Sequence, residues 1–131
     1  MIEAVMHAAQ RLLDALRAEN EALARLDLAA AAELSRGKRQ AADAFEAAYA
    51  AATKSGARAA GAERGHAEAV AIRLRDLTAE NRRLLERAID LQSRVIETIA
   101  GAARPQGPGT YGARGHQREG RGSPVSVLSR A

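Results

Sequence analysis

The sequence predicts an all-α protein, a long antiparallel helical hairpin or bundle followed by a disordered C-terminal tail. Two features of the composition support this fold class. Alanine makes up about a quarter of the 131 residues, and alanine, leucine, glutamate and arginine all favour helices. Aromatic residues are only 2% of the chain, so the residue types that a β-sheet needs are sparse. Because large apolar side chains are few, we expect one small domain with a narrow helical seam as its core.

The first predicted helix covers residues 2–53. Its apolar residues recur every three or four positions, the spacing of one buried helix face, beginning with Ile2, Val5, Ala9, Leu12 and Leu16. The spacing lapses at Glu19 and Asn20, which fall on or beside that face. Gly37 is the weak point, because glycine in a helix interior costs about 1 kcal/mol relative to alanine. We therefore expect one long helix, with Gly37 as the place where it would bend.

The second predicted helix covers residues 66–103, after a turn over residues 54–65. The turn is indicated by Gly56, Gly61 and Gly65, since glycine commonly ends helices. The helix has the clearest pattern in the chain, a seam with alternating steps of three and four: Leu74, Leu77, Asn81, Leu84, Ala88, Leu91, Val95 and Thr98. Asn81 is a polar residue within this apolar seam. We interpret it as a residue that fixes the pairing register, the alternative being contact with a partner.

The apolar face of the second helix is wider than one partner helix requires. A second line of residues, Leu85, Ile89, Ile96 and Ile99, lies beside the seam. Uncovered apolar surface on a small protein commonly marks a binding site. The predicted site for a protein partner is therefore formed by Leu84, Leu85, Ile89, Leu91, Val95, Ile96 and Ile99. The alternative is that the hairpin itself buries Leu91, Val95, Ile96 and Ile99.

Charge divides the chain into a neutral helical domain, residues 1–103, and a basic tail, residues 104–131. The tail holds five arginines and one acid, which accounts for the whole formal net charge of +4. It also contains all three prolines and many glycines, so we expect a flexible segment that does not pack. The domain carries no basic stripe of the kind that specific nucleic-acid binding needs.

The sequence predicts no catalytic, cofactor-binding or metal-binding residues. Cysteine is absent, and the three histidines, His7, His66 and His116, have no partner at metal-ligand spacing. A thin helical hairpin also offers no concave pocket that excludes water. There is no basic leader and no apolar run of about 18 residues, so we expect a cytoplasmic protein without membrane insertion.

Three stretches resemble the FlgN-type flagellar export chaperones. In the first helix the resemblance is carried by Glu19, Ala22, Leu23, Asp27 and Lys38. In the second it is carried by Asn81, Leu84, Leu85, Ile89, Gln92 and Ile99. The tail segment from Tyr111 through Gly112 to Gly115, with the ending SPVSVLSRA, is similar to the alphaproteobacterial members.

The resemblance implies a helical chaperone without catalytic activity, either a monomer or a small homo-oligomer. Such proteins bind the terminal helical segments of hook-associated proteins, which form the hook–filament junction. They deliver these proteins to the export gate and ATPase complex of the flagellar type III system. The resemblance assigns docking on the gate to Tyr111, Gly112 and Gly115. An amphipathic helix of the substrate would then lie on the apolar face of the second helix.

Two other functions are consistent with the sequence. A structural coiled-coil protein would use the same apolar face to associate with itself. An RNA-associated protein would use the tail sequence RGHQREGRG, because arginine/glycine tails bind nucleic acids without sequence preference.

Overall fold

The structure, a computed structural model, describes residues 1–104 and contains three helices there. They are α1 (Ile2–Ala24), α2 (Leu28–Ser55) and α3 (Ala62–Ala103). Helices account for 89% of the described residues, which include no strand. The predicted all-α fold class is confirmed. The predicted tail lies outside the described residues, apart from Arg104.

The expectation of one helix over residues 2–53 is wrong, because the chain turns between α1 and α2. The amide of Leu26 donates to the carbonyl of Leu23 at 3.0 Å, and the amide of Asp27 donates to the carbonyl of Ala22 at 2.9 Å. This pair of bonds is the Schellman motif that ends helices. Leu26 has a φ of 60°, a left-handed conformation that is unusual for a residue other than glycine. The carboxylate of Asp27 then accepts from the amide of Ala30 at 3.1 Å and caps α2.

Glycine makes the second turn, between α2 and α3, as the sequence indicated. Gly56 has a φ of 78° and Gly61 a φ of 60°, both in the region that favours glycine. Gly65 does not end a helix, because α3 already begins at Ala62. Gly37 also lies inside a helix, α2, where no turn occurs.

The central helix of the bundle is α1, which packs closely along both α2 and α3. In contrast, the backbones of α2 and α3 do not pack along each other and approach closely at one or two positions at most. The two short turns make α1 and α3 parallel and α2 antiparallel to both. One apolar cluster, here called the lower apolar cluster, lies at the end of the bundle where α1 begins. It contains Ala9, Leu13 and Val70, with Phe45 and Leu74 packed against it. A second cluster, here called the upper apolar cluster, lies near the α1–α2 turn and contains Ala22, Leu23, Ala31, Leu84 and Ala88.

Candidate interaction surface

A cluster of buried polar side chains joins all three helices between the two apolar clusters. Its members, here called the polar cluster, are Glu19 and Asn20 of α1, Lys38 of α2 and Asn81 of α3, each at most 9% exposed. The ammonium of Lys38 donates to Glu19 Oε1 at 2.9 Å and to Asn81 Oδ1 at 3.1 Å. The Asn81 amide donates to Glu19 Oε1 and, at 2.8 Å, to Asn20 Oδ1.

The polar cluster holds a buried ion pair with good geometry. Glu19 is fully buried, and its charge is opposed by Lys38 and hydrogen-bonded by Asn81. Asn20 uses its own amide to donate to the Leu77 carbonyl of α3 at 3.2 Å. Burying charges is costly unless they are paired and hydrogen-bonded, so any shift of one helix along another would leave several of these groups unsatisfied. The cluster therefore specifies one alignment of the three helices.

Asn81 has specific partners inside the chain, Glu19, Asn20 and Lys38, and its role in fixing the register stays a prediction. Glu19, Lys38 and Asn81, three of the residues that carry the family resemblance, contact one another in this cluster. The pairing of Glu19 with Lys38 was not predicted from the sequence. The signal was present in the lapse of apolar spacing at Glu19 and Asn20, because a charged residue on a buried face requires a partner.

The last part of α3 extends beyond the rest of the bundle. Ala88 belongs to the apolar cluster that contains Ala22 and Leu23, at the end of α1, and Ala31, at the start of α2. After Ala88, α3 has no buried residue, yet it continues to Ala103. Residues 89–103, here called the α3 extension, are about 22 Å long at 1.5 Å per residue. Its first half is still partly covered, since residues 89, 91–93 and 96 are partly buried, whereas residues 97–103 are all exposed.

The α3 extension contains most of the partner site that the sequence predicts. Val95 is 49% exposed and Ile99 is 62% exposed. Leu91 and Ile96 are partly exposed, so the bundle does not fully bury any of the four residues for which burial was the alternative. Ile89 and Leu85 are also partly exposed, although Leu85 packs against the upper apolar cluster.

Leu84 is the exception among the predicted partner-site residues. It is only 7% exposed and belongs to the upper apolar cluster, so its side chain serves the fold and is not available to a partner. The periodic pattern did not separate Leu84 from Ile99, because both lie on the same face of α3. The end of α1 is what buries one and leaves the other exposed. The predicted docking residues Tyr111, Gly112 and Gly115 lie outside the described residues.

Residues 1–104 bring together no group of three histidine, aspartate or glutamate side chains that could hold a metal ion. No helix in that range has the length and hydropathy needed to cross a membrane.

Comparisons of the chain with models of protein families, with curated proteins and with solved structures find no match.

Proposed function

We propose that this protein is a cytoplasmic, non-enzymatic chaperone of the FlgN type. It binds terminal helical segments of hook-associated proteins and delivers them to the flagellar export gate. The family resemblance supports the identity of the partners. The observation that carries the binding role is the α3 extension, whose apolar face continues past the end of its own bundle.

The geometry of the α3 extension suits a helical partner. Val95 and Ile99 lie four residues apart and are both about half or more exposed. Leu91 precedes them by a further four residues, so the three form a ridge along one side of the helix. An amphipathic helix binds such a ridge through apolar residues at matching spacing. Covering this ridge would also remove apolar surface from water, which favours association.

The test is the double substitution of Ile96 and Ile99 by serine. We expect the variant to keep its helicity in circular dichroism, because neither side chain is buried in the bundle. Binding to purified hook-associated proteins from the same genome should weaken at least roughly tenfold, since burying one large apolar side chain is worth about 1.5–3 kcal/mol. Ile72→Ser is the matched control, because Ile72 is 52% exposed on α3 outside the extension.

Two outcomes would contradict the binding role. Loss of helicity in the double variant would mean that these residues serve the fold. Unchanged binding would mean that the partner contacts another surface. Light scattering of the wild-type protein distinguishes the structural alternative, because a protein that associates through the same face would form larger species without any substrate.

Docking on the export gate is tested separately with Tyr111→Ala. The proposal expects this variant to bind its substrate normally and to reduce export, measured as motility of a strain that carries it. Tyr111→Phe, which keeps the aromatic ring, is the control. Normal motility of the alanine variant would remove Tyr111 from the proposal without affecting the α3 extension.

A further inference from the structure

A second surface suited to a partner lies outside the α3 extension, as a shallow groove of about 510 Å³. Leu12 of α1, Phe45 of α2 and Leu74 of α3 form its apolar lining. The ring of Tyr49, which is 59% exposed, lies next to Phe45 with a centroid distance of 6.1 Å. The groove exists because α2 and α3 both pack on α1 and make few close backbone contacts with each other.

The groove has a basic rim and no acidic lining residue among those that the structure describes. The remaining lining residues are Arg75, Thr78, Ala79 and Arg82 of α3. Arg75 and Arg82 are seven residues apart, about two helical turns, so both project from the same side of α3. Arg82 Nε is 3.7 Å from Glu86 Oε2, but both side chains are more than 70% exposed. Such exposed pairs are weak, so Arg82 can exchange Glu86 for another carboxylate at little cost.

The groove lies on a different side of α3 from the ridge that Leu91, Val95 and Ile99 form. An α-helix turns by about 100° per residue, so these three residues lie about 100–180° around the helix axis from Arg75 and Arg82. The groove is therefore a second surface of α3, separate from that ridge.

We propose that the groove binds an acidic amphipathic helix of the partner. The apolar side chains of the partner helix would cover Leu12, Phe45 and Leu74, and its carboxylates would pair with Arg75 and Arg82. The charge complementarity selects an acidic segment over a basic one, because a basic helix of the same shape would meet two arginines. This inference rests on the proposed function, and it adds the charge of the segment that is recognised.

The experiment uses the full chain and two synthetic helical peptides of about 20 residues as probes. Both peptides carry leucines at the same positions, spaced three and four apart, but one has glutamates and the other lysines beside them. Affinities are measured by fluorescence anisotropy at low and at physiological salt. We expect the glutamate peptide to bind at least roughly tenfold more tightly at low salt, with a smaller preference at higher salt, where charges are screened.

Arginine-to-glutamate substitutions test whether the groove causes the preference for the glutamate peptide. Arg75→Glu combined with Arg82→Glu should abolish or invert it. Arg73→Glu combined with Arg83→Glu is the matched control, because both are exposed arginines of α3 that do not line the groove, and the change in net charge is the same. The control should keep the preference. Circular dichroism verifies that both double variants are folded.

Each outcome bears on one inference or the other. Equal binding of the two peptides by the wild-type protein, or equal effects of the two double variants, would overturn the groove assignment. If hook-associated proteins bind the Arg75/Arg82 variant normally but not the Ile96/Ile99 variant, the groove assignment fails and the proposed function stands. If the glutamate peptide binds as expected but no hook-associated protein binds, the proposed function fails and the acidic preference of the groove stands.

Discussion

Replacing Lys38 by methionine should destabilise the bundle strongly, although the two side chains have similar length. The substitution removes the cation that lies 2.9 Å from a fully buried carboxylate, Glu19 Oε1. It also removes the bond from Lys38 to Asn81 Oδ1. Removing one partner of a buried ion pair typically costs about 3–5 kcal/mol, because the other charge stays buried without compensation. A domain of this size is typically stable by only about 5–15 kcal/mol, so the expected loss is a large fraction.

The physical reason for this loss predicts partial rescue by a second substitution. Glu19→Met in the Lys38→Met background removes the uncompensated charge and leaves the Asn20–Asn81 hydrogen bond in place. Replacing both members of a buried pair by apolar residues is often neutral or stabilising. We therefore expect the double variant to be more stable than Lys38→Met alone, even though it lacks one more wild-type side chain.

The assay is urea unfolding followed by circular dichroism, and the chain provides its own control. Lys54, the other lysine, lies exposed in the last turn of α2. Lys54→Met should cost less than about 1 kcal/mol, as is usual for surface charges. A loss for Lys38→Met as small as that for Lys54→Met would contradict the importance of the buried ion pair, as would a further loss when Glu19→Met is added to Lys38→Met.

Three smaller predictions concern the α1–α2 turn and the polar cluster, each measured as the free energy of unfolding. Leu26→Gly should stabilise the protein by about 1 kcal/mol, because the left-handed conformation costs other residues about 1–2 kcal/mol. Leu34→Gly, at similar exposure within α2, should do the opposite, and a loss in both variants would contradict the argument. Asp27→Ala should cost about 1 kcal/mol through the lost cap, whereas Asp27→Ser should retain most of the stability. Asn81→Leu should cost about 1–3 kcal/mol, because it removes a hydrogen-bond partner of Glu19, Asn20 and Lys38. A gain in stability would show that these hydrogen bonds contribute little.

The helical character of the chain follows from its local sequence. Alanine-rich composition and apolar spacing are local properties, and they indicate helix whatever the packing. Glycine marked the α2–α3 turn, because Gly56 and Gly61 adopt conformations that other residues avoid. The α1–α2 turn was missed for the opposite reason. Its left-handed residue is Leu26, which has no turn signature, and the cap of Asp27 becomes evident only once the helix has ended.

The alignment of the helices, and therefore which apolar residues remain exposed, follows from contacts between residues far apart in the chain. Periodicity places Leu84 and Ile99 on one face of α3, but it does not say where α1 and α2 end along that face. The pairing of Glu19 with Lys38 and Asn81 depends on residues 19 and 62 positions apart in the chain. A buried charge is costly unless it is paired and hydrogen-bonded, and the partners of Glu19 come from two other helices. This alignment is therefore a property of the whole bundle, and the length of the α3 extension follows from it.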